Sequence, residues 1–330
     1  MKIVKNHVIN NSLNINSICK KFIEINCKDD FEHLNDYIKT NNEQILVLGE
    51  GTNIVPPDIF NGLVIKPNFK NIDFSENEVS VGSTVNWHSF VELCISKNIF
   101  GFENLSLIPG SVGAAPVQNI GAYGLEVSSL ITKVHCYDIE NNNFITLSNR
   151  ECEFSYRDSI FKKNKYLIYK VDFKTDNEEI FFLEYKALKQ QINKLELDES
   201  KLTIKQVSDL VCSIRKSVLP DHNKIPNVGS FFKNPVITKK ELKNIPYDLN
   251  DLIIWKINDD SYKIGAARLI EIIKKNIKPN NNVNIYNHHS LILTTNSNAT
   301  QKDVLDVAGD IKKNILNTFN IELEIEPKLI

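Results

Sequence analysis

The pattern of apolar and polar positions changes period several times along the chain, which predicts a mixture of strands and helices. Short apolar runs bounded by polar or glycine-containing turns predict strands at residues 45–48, 63–65, 79–81, 130–137 and 144–147. Apolar residues recur at helical spacing over residues 87–95 and predict an amphipathic helix. The first half of the chain therefore resembles an α+β arrangement, whose second unit reaches about residue 185.

The second half of the chain alternates helical and strand-like patterns, which favours an α/β domain. Residues 184–209 are polar and helical, and we interpret them as a connection between domains, while the proline-bounded residues 226–235 predict a loop. The remaining predicted elements are a helix at 204–216, a helix at 265–275, a strand at 289–294, an amphipathic helix at 301–319 and a last strand at 321–325.

Length and composition add the number of domains and exclude several classes of protein. The 330 residues exceed the usual size of one hydrophobic core, so two or three domains are expected at 42% hydrophobic residues. Lys and Arg total 39 against 41 Asp and Glu, without a long block of either sign, so no nucleic-acid or anionic-membrane surface is expected. The six cysteines are far apart and predict reduced, buried thiols with no metal site. Without a signal peptide or a run of about 18 apolar residues, a soluble cytoplasmic protein is expected.

Glycine is concentrated in one stretch, residues 108–126, which holds four of the 12 glycines in the chain. Glycine is required where φ is positive or where something lies against the main chain. The four glycines, with three alanines between them, leave backbone N–H groups that could touch a large ligand. A glycine-rich loop packed under a helix is the alternative. The residues are Gly110, Gly113, Gly121 and Gly124, with Ala114, Ala115 and Ala122.

A second glycine-containing turn follows the predicted strand 45–48 and reads Gly49-Glu50-Gly51-Thr52-Asn53. Its glycines free the backbone to curl around an anion, and Thr52 and Asn53 can donate side-chain hydrogen bonds, as in a phosphate-binding nest. The turn lacks the lysine of a P-loop and the third glycine of the dinucleotide fingerprint. A plain hairpin turn is equally compatible with it.

Two further residues carry candidate chemistry. Arg157 follows Tyr156 in a stretch rich in aromatic residues and could grip a carboxylate with its planar guanidinium, although an isolated arginine more often forms a surface ion pair. Ser230 follows a glycine and precedes two phenylalanines, so a tight turn could present its hydroxyl in a partly dry site. The G-x-S-x-G motif of a hydrolase is absent, and many such serines only cap a turn.

Five motifs occur in the order and at the spacing of one family. The chain resembles the UDP-N-acetylenolpyruvoylglucosamine reductase (MurB) family over essentially its whole length, and its type I branch in particular, because LEYKAL at 183–188 is similar to the tyrosine-bearing insertion that folds over the substrate in that branch. The motifs are GEGTN at 49–53, IPGSVGAAPVQNIGAYGLE at 108–126, YRDSIFK at 156–162, NVGSFFKNP at 227–235 and EPKLI at 326–330.

The resemblance implies an α+β fold with a two-part FAD-binding region of the vanillyl-alcohol-oxidase-like (PCMH-type) fold and an α/β substrate-binding domain. The implied domains are residues 1–67 and 68–200, which bind FAD, and 201–330, whose C-terminal tail returns to the active site. The type I insertion lies near residue 185. The implied enzyme takes hydride from NADPH and reduces the enolpyruvyl ether of a UDP-sugar to UDP-N-acetylmuramate for peptidoglycan synthesis. A monomer with no nucleic-acid or membrane partner is expected.

The resemblance also assigns roles to individual residues. Arg157 and a protonated Glu326 would hold and polarise the substrate carboxylate, and Ser230 would deliver a proton to carbon. Substrate-side positions are Tyr156, Tyr185, Lys233 and Asn234. Cofactor-side positions are Gly49, Glu50, Gly51, Thr52, Asn53, Pro109, Gly110, Ser111, Gly113, Ala114, Asn119, Gly121, Ala122, Tyr123, Gly124 and Arg215.

The chain departs from the family pattern at a few positions. Val218 stands where type I enzymes often have a lysine, with Lys216 two residues earlier, which affects the expected contacts to the substrate diphosphate. Residues 285–290 and 267–270 also differ from the usual family sequences. Two other classes stay open: another flavin oxidoreductase of the same fold, and a non-catalytic protein that binds a UDP-sugar or nucleotide.

Overall fold

The computed structural model describes residues 2–163, 165–175 and 178–330. The chain forms two compact units. Unit 1 comprises the chain up to His7, Cys19–Glu50 and Asn61–Ser217, and unit 2 comprises Val8–Ile18, Gly51–Phe60 and Val218–Ile330. The predicted domain limits at residues 67 and 200 stay a prediction.

The first 67 residues supply a four-stranded sheet and one helix. The elements are β1 (Ile3–Val8), β2 (Ile18–Ile25), α1 (Asp29–Thr40), β3 (Gln44–Val47), β4 (Ile54–Val55) and β5 (Ile59–Pro67). The strand order is β1-β2-β5-β3, with β3 parallel to β5. Phe31 and Leu34 of α1 are buried together with Ile23, Ile25 and Ile65 of the sheet. The predicted strands at 45–48 and 63–65 are confirmed within one residue as β3 and inside β5.

The middle of the chain forms the second sheet of unit 1. Its elements are β6 (Ile72–Phe74), β7 (Glu78–Gly82), α2 (Trp87–Ser96), β8 (Gly121–Ala122), β9 (Leu125–Glu126), β10 (Ile131–Asp138), β11 (Asn143–Ser148) and β12 (Tyr166–Lys174). The order is β11-β10-β12-β7-β6, and every adjacent pair is antiparallel. The predicted pairing of strands 130–137 and 144–147 is therefore confirmed, as is the helix at 87–95.

Trp87 fixes the start of α2 against the glycine-rich segment, residues 108–126. Its backbone N–H donates to the Gly110 carbonyl at 2.9 Å, and its indole Nε1 donates to the Leu105 carbonyl at 2.9 Å. The ring is fully buried and packs edge-on against Phe90. A buried indole that keeps its hydrogen bond both fills the core and sets the place of the adjoining backbone.

Two helices complete unit 1. They are α3 (Lys186–Lys194) and α4 (Ile204–Val218), and the second confirms the helix predicted at 204–216. Their buried residues include Leu188, Ile192, Val207 and Val211, which form one apolar cluster with Tyr123. Residues 184–209, interpreted from sequence as a connection, thus bury an apolar face within unit 1.

Unit 2 combines short antiparallel sheets with three helices. Its elements are β13 (Asn227–Ser230), β14 (Val236–Thr238), α5 (Lys239–Lys243), β15 (Ile254–Lys256), β16 (Ser261–Ile264), α6 (Ala266–Ile273), β17 (Val283–Ile285), β18 (Ile292–Thr295), α7 (Gln301–Phe319) and β19 (Lys328–Leu329). The sheet orders are β13-β18-β17 and β14-β16-β15, and β19 pairs in parallel with β4. The predicted helices at 265–275 and 301–319 are confirmed as α6, with the turn that follows it, and α7. Among the described residues, no helix has the length and apolar character needed to cross a bilayer.

Three sequence expectations in unit 2 need correction. The loop predicted at 226–235 contains strand β13, because residues 227–230 find a partner in β18. The strand predicted at 289–294 begins only at Ile292. The last strand, predicted at 321–325, is wrong: this stretch buries alternate side chains at Ile321 and Leu323, but only Ile325 forms a bridge, with Phe232. The last strand is β19.

Candidate active site

The glycines of the glycine-rich segment meet two different geometric requirements. Gly110 and Gly124 have φ of 111° and 87°, values that other residues rarely adopt. At Gly113 and Gly121 the reason is close approach: an added Cβ would lie 2.5 Å from the Ser83 Cβ and 2.9 Å from the Leu125 carbonyl oxygen, respectively. The prediction that glycine is required here is confirmed, and at these two positions the approaching atoms belong to the protein itself.

Arg157 is anchored on this segment. Its Nη2 donates to the Gly121 carbonyl oxygen at 2.7 Å, its Nη1 lies 3.5 Å from the Asn119 carbonyl oxygen, and its guanidinium lies 5.2 Å from the centre of the Tyr156 ring. Arg157 itself has a φ of 54°, in the left-handed region. A non-glycine residue in that region marks a position held by its surroundings. The structure therefore brings the predicted catalytic Arg157 together with two predicted cofactor residues.

Asn119 organises the turn that Arg157 contacts. It is fully buried, and its Nδ2 donates to Glu126 Oε2 at 2.8 Å and to the Ser155 carbonyl at 3.1 Å. Its Oδ1 accepts the Ser128 N–H at 3.1 Å. Asn119 therefore connects the glycine-rich segment to the stretch that carries Arg157, and its side chain is committed to the protein.

Tyr123, Tyr185 and Arg215 form a second group in unit 1. The rings of Tyr123 and Tyr185 meet edge to face, with centres 5.1 Å apart, and Tyr185 is about half exposed. Burial raises the pKa of Tyr123 to about 12, although the positive charge of Arg215 acts in the opposite direction. A predicted substrate residue and two predicted cofactor residues are thus neighbours.

Two features of Arg215 are typical of a residue that binds an anionic or polar ligand. Burial lowers the pKa of its guanidinium below the usual value. Its Nε is buried and has no hydrogen-bond partner among the residues that the structure describes. An unsatisfied buried donor costs free energy, which a bound ligand can recover.

The turn at residues 49–53 is divided between the two units: Gly49 and Glu50 belong to unit 1, and Gly51, Thr52 and Asn53 belong to unit 2. In unit 1, an added Cβ on Gly49 would lie 3.2 Å from Ser111 Oγ and 3.5 Å from Ala114 Cβ, so the two predicted cofactor motifs are adjacent there. Glu50 forms a 3.9 Å ion pair with Lys66. Pro109 and Ala122, also predicted on the cofactor side, lie in the same glycine-rich segment.

In unit 2, Gly51 has a φ of 69°, and an added Cβ would lie 2.1 Å from the Asn10 carbonyl oxygen. Thr52 follows it in the same turn, and the Asn53 carbonyl accepts the Lys328 N–H at 3.0 Å. The C-terminal segment is therefore fixed directly to the end of this turn.

Ser230 and Glu326 lie on neighbouring segments of unit 2. Ser230 is the last residue of β13 and follows Gly229, whose φ is 74°. The Glu326 N–H donates to the Phe231 carbonyl at 3.0 Å, and Phe231 is fully buried. The structure thus brings the terminal tail beside the residue that follows Ser230, so the two predicted catalytic residues belong to one local arrangement. Arg157 belongs to the other unit.

Lys233 and Asn234 both make contacts inside unit 2. The Lys233 ammonium group donates to Glu324 Oε1, and the lysine side chain is only 12% exposed. Asn234 Oδ1 accepts the N–H of Ala266 at 2.9 Å, at the first residue of α6. Because the N-cap residue Gly265 has no side chain, Asn234 acts as the helix cap from a distance in sequence.

Sequence reasoning missed two residues that position the site. His88 Nδ1 accepts the Leu107 N–H at 3.0 Å, just before the glycine-rich segment, and Leu107 has a φ of 60°. Asn104 is fully buried and donates to backbone carbonyls of two segments. The sequence could have indicated Asn104, because the polar pair Glu103-Asn104 interrupts a largely apolar stretch. A polar side chain that is buried in such a stretch is usually hydrogen-bonded.

Comparison with known proteins assigns the family. A model described as an FAD binding domain matches residues 20–147, and a model of the C-terminal domain of UDP-N-acetylenolpyruvoylglucosamine reductase matches residues 219–330. A UDP-N-acetylenolpyruvoylglucosamine reductase from Bdellovibrio bacteriovorus is 34% identical, over 99% of this chain and 99% of that protein. This chain belongs to the UDP-N-acetylenolpyruvoylglucosamine reductase family.

Further members agree with the assignment. The reductase of the same name from Pseudoalteromonas translucida is 36% identical, over 96% of this chain and 92% of its own length. The crystal structure of MurB from Thermus caldophilus has a TM-score of 0.68 at 18% identity and covers 99% of this chain and 98% of that one. The predicted α+β class, with an FAD-binding region and a substrate-binding domain, is confirmed.

The residues of this reductase fit FAD. The unpartnered Nε of Arg215 offers a buried donor, and an added Cβ on Gly124 would meet no atom of the described residues within 4 Å, its two chain neighbours aside, so open space lies beside that backbone. Ser83 Oγ, beside Gly113, is also buried without a partner among the described residues. A large polar ligand that lies along a side-chain-free backbone would use these features.

Proposed function

We propose that this protein reduces UDP-N-acetylenolpyruvoylglucosamine to UDP-N-acetylmuramate with NADPH and so serves peptidoglycan precursor synthesis. The observation that carries the proposal is the identity of 34% across 99% of the chain to a reductase of that name. FAD is the cofactor, and once reduced by NADPH it supplies the hydride. The chain keeps Arg157, Ser230 and Glu326 within the motifs that define the resemblance.

We assign the binding of FAD to the backbone of the glycine-rich segment, to the turn at residues 49–53 and to Arg215. The backbone N–H groups and the positive φ at Gly110 and Gly124 suit a ligand that lies against the main chain. Arg215 supplies a partly buried positive charge toward the electron-rich cofactor. The spatial closeness of Gly49 to Ser111 and Ala114 supports a shared role for the two motifs.

The proton chemistry is assigned to three residues. Addition of hydride to the enolpyruvyl CH₂ carbon would leave the electron pair of the double bond on the carbon beside the carboxylate, and this charge extends into the carboxylate as an enolate. Arg157 and a protonated Glu326 stabilise that charge, and the hydroxyl of Ser230 donates the proton to carbon. Support for Arg157 comes from its hydrogen bond to the Gly121 carbonyl, which holds the guanidinium in place before the substrate binds.

Substrate binding is assigned to Tyr156, Tyr185, Lys233 and Asn234. Tyr185 is about half exposed beside Tyr123, so its ring can still bury surface against a ligand. Lys233 is held by Glu324 and Asn234 by Ala266, so their side chains are fixed in advance. A fixed polar group costs less entropy when it binds a ligand.

A spectroscopic experiment separates this function from the alternatives. The purified protein is expected to be yellow, to bleach with NADPH in the absence of oxygen, and to regain its colour when the enolpyruvyl substrate is added. Recovery with oxygen but not with the substrate would indicate another flavin oxidase of this fold. A colourless protein that takes up no FAD would be a binding protein without this chemistry.

We further propose that the protein acts as a monomer in the cytoplasm. Each unit buries its own apolar core, and both the UDP-sugar and NADPH are cytoplasmic metabolites. Light scattering after size-exclusion chromatography should give the 37.7 kDa mass of one chain. A mass of twice that value at working concentration would contradict the monomer.

A further inference from the structure

Asn104 links two segments of unit 1 that carry different parts of the proposed site. Its Nδ2 donates to the Tyr123 carbonyl at 2.9 Å and to the Phe182 carbonyl at 2.8 Å. Tyr123 belongs to the glycine-rich segment, and Phe182 lies three residues before Tyr185. Since an amide NH₂ group has two hydrogens, one side chain can serve both carbonyls at once.

The position of Asn104 is itself fixed by a buried turn. Asn104 is 0% exposed and is the middle residue of the helical turn Glu103–Leu105. Glu103 Oε2 accepts the Gly101 N–H at 2.8 Å at the start of this turn, and the Leu105 carbonyl accepts the indole N–H of Trp87 at its end. A donor held in this way can define where its acceptors lie, because its own movement would break the surrounding contacts.

The segment on the other side, residues 178–185, is mostly exposed, and Leu183 is its one buried side chain. Leu183 is 8% exposed and packs in the cluster that includes Tyr123, whereas Phe182 and Tyr185 are 48% and 47% exposed. A stretch with few buried side chains has little local stability of its own. A hydrogen bond to its backbone from a rigid donor therefore has a large share in fixing its conformation.

We propose that Asn104 is a positioning residue that holds Tyr185 at a defined place beside Tyr123, so that the substrate-side and cofactor-side parts of unit 1 keep a fixed geometry. Asn104 touches neither substrate nor cofactor in this scheme. It acts through the two carbonyls, and its effect reaches the ligand through the edge-to-face contact of the two tyrosine rings. The proposal rests on the proposed function, because it takes Tyr185 to be a substrate contact.

The test uses the full-length, FAD-loaded protein and the variant Asn104→Asp, which keeps the shape of the side chain and removes both donors. Hydrogen exchange of peptides within residues 178–185 should become about tenfold faster, the factor expected from the loss of one hydrogen bond. The KM for UDP-N-acetylenolpyruvoylglucosamine should rise by about the same factor, while kcat and FAD content stay near those of the wild type.

Ser208→Ala is the matched control. It removes another buried side-chain hydrogen bond of unit 1, the one of 2.8 Å between Ser208 and Ser106. Ser106 is only two residues along the chain from Asn104. A general loss of stability would accelerate exchange in both variants, whereas a positioning role for Asn104 predicts that Ser208→Ala leaves the exchange of residues 178–185 and the KM unchanged. If Asn104→Asp folds poorly, Asn104→Ser, which keeps one shorter donor, should show smaller changes in the same two measurements.

A double-variant cycle decides whether the effect acts through Tyr185. Asn104→Asp should raise the KM about tenfold in the wild-type background and not at all in a Tyr185→Ala background. Unchanged exchange in Asn104→Asp, or an undiminished KM effect without Tyr185, would overturn the proposal. If Tyr185→Ala alone leaves the KM unchanged, the substrate role of Tyr185 fails, and this proposal fails with it, although the proposed reaction would stand on its own spectroscopic test.

Discussion

The guanidinium of Arg157 donates a hydrogen bond of 2.7 Å to the carbonyl oxygen of Gly121. A Cβ added to Gly121 would lie 3.0 Å from Arg157 Nη1 and 2.9 Å from the Leu125 carbonyl oxygen. Arg157 can therefore occupy this position only because residue 121 has no side chain. In the proposed site the glycine-rich segment thus has two uses, since it leaves backbone open to the cofactor and determines the position of the proposed catalytic side chain.

Gly121→Ala should displace Arg157, because the added methyl group competes with the guanidinium and with a backbone oxygen that cannot move easily. With FAD at saturation, kcat/KM should fall about 100-fold, the cost typical of a misplacement of about 1 Å at a catalytic group. Steady-state kinetics with added FAD measure this effect.

Gly124→Ala is the comparison for that variant. Gly124 has a φ of 87°, and apart from its two chain neighbours no atom in the described part of the chain lies within 4 Å of an added Cβ, so the change brings backbone strain and occupies open space. We expect weaker FAD retention and near-normal turnover once FAD is saturating. Equal loss of turnover in both variants would mean that the Gly121 effect does not act through Arg157.

Arg215→Met should change the stability of the FAD-free protein and its affinity for FAD in opposite directions. The substitution removes a partly buried charge whose Nε is itself buried and has no hydrogen-bond partner among the described residues. The free energy of unfolding of the FAD-free protein should therefore rise, by about 1–3 kcal/mol, while FAD affinity falls by about 10- to 100-fold. Urea unfolding of the apoprotein and FAD titration give the two values.

Lys216→Met serves as the control for Arg215→Met, since it removes a neighbouring charge that is exposed. Neither the stability of the apoprotein nor its FAD affinity should change appreciably. If Arg215→Met instead destabilised the apoprotein and left FAD affinity intact, Arg215 would be a structural residue.

Elements with strong periodicity could be predicted from the sequence because their pattern reflects the surface that they bury. The helix Gln301–Phe319 was predicted with the bounds that the structure gives, since Val304, Val307, Ala308 and Ile311 recur at helical spacing and are all buried. The glycine positions were predictable for a similar reason. A residue used rarely and then four times in one stretch indicates a requirement of backbone geometry.

Other parts of the site depend on contacts between residues far apart in the sequence. Tyr123 and Arg157 adopt left-handed φ values of 49° and 54°, and no local pattern distinguishes them from residues in ordinary conformations. The alternation in residues 321–325 is that of a strand, yet the stretch finds a bridging partner only at Ile325. A strand needs a neighbour to pair with, and the sequence of one segment does not contain that information.

His88 should make the stability of unit 1 depend on pH. Its Nδ1 accepts the Leu107 N–H. Burial lowers the pKa of its imidazole below the usual value, and the charges of Lys216 and Arg215 act in the same direction, against the opposing effect of Glu92, whose carboxylate lies 3.8 Å from Nε2. The unfolded chain then takes up the proton more readily than the folded one. The stabilising contribution is fully present above about pH 6.5 and is lost as the pH falls through the folded-state pKa.

His88→Asn should flatten this dependence, because an asparagine oxygen can accept the same N–H and does not titrate in this range. Urea unfolding at pH 8 and pH 5.5 should show a smaller difference between the two pH values in the variant than in the wild type. His33→Asn, at an exposed histidine, should keep the wild-type difference. A residual dependence is expected from His289, whose pKa burial also lowers.

Ser230→Ala tests the assignment of the proton donor. Reduction of the flavin by NADPH requires no proton from Ser230, so its rate should stay near that of the wild type. Reoxidation by the enolpyruvyl substrate should slow by at least about 10²–10⁴-fold, the range for a general acid. Stopped-flow absorbance of the two half-reactions under anaerobic conditions measures both rates.

Ser230→Cys, which keeps a dissociable proton at nearly the same place, should recover part of the rate of reoxidation by the substrate. Equal slowing of both half-reactions in Ser230→Ala would assign Ser230 a structural role at the end of β13, where its backbone pairs with Ile292.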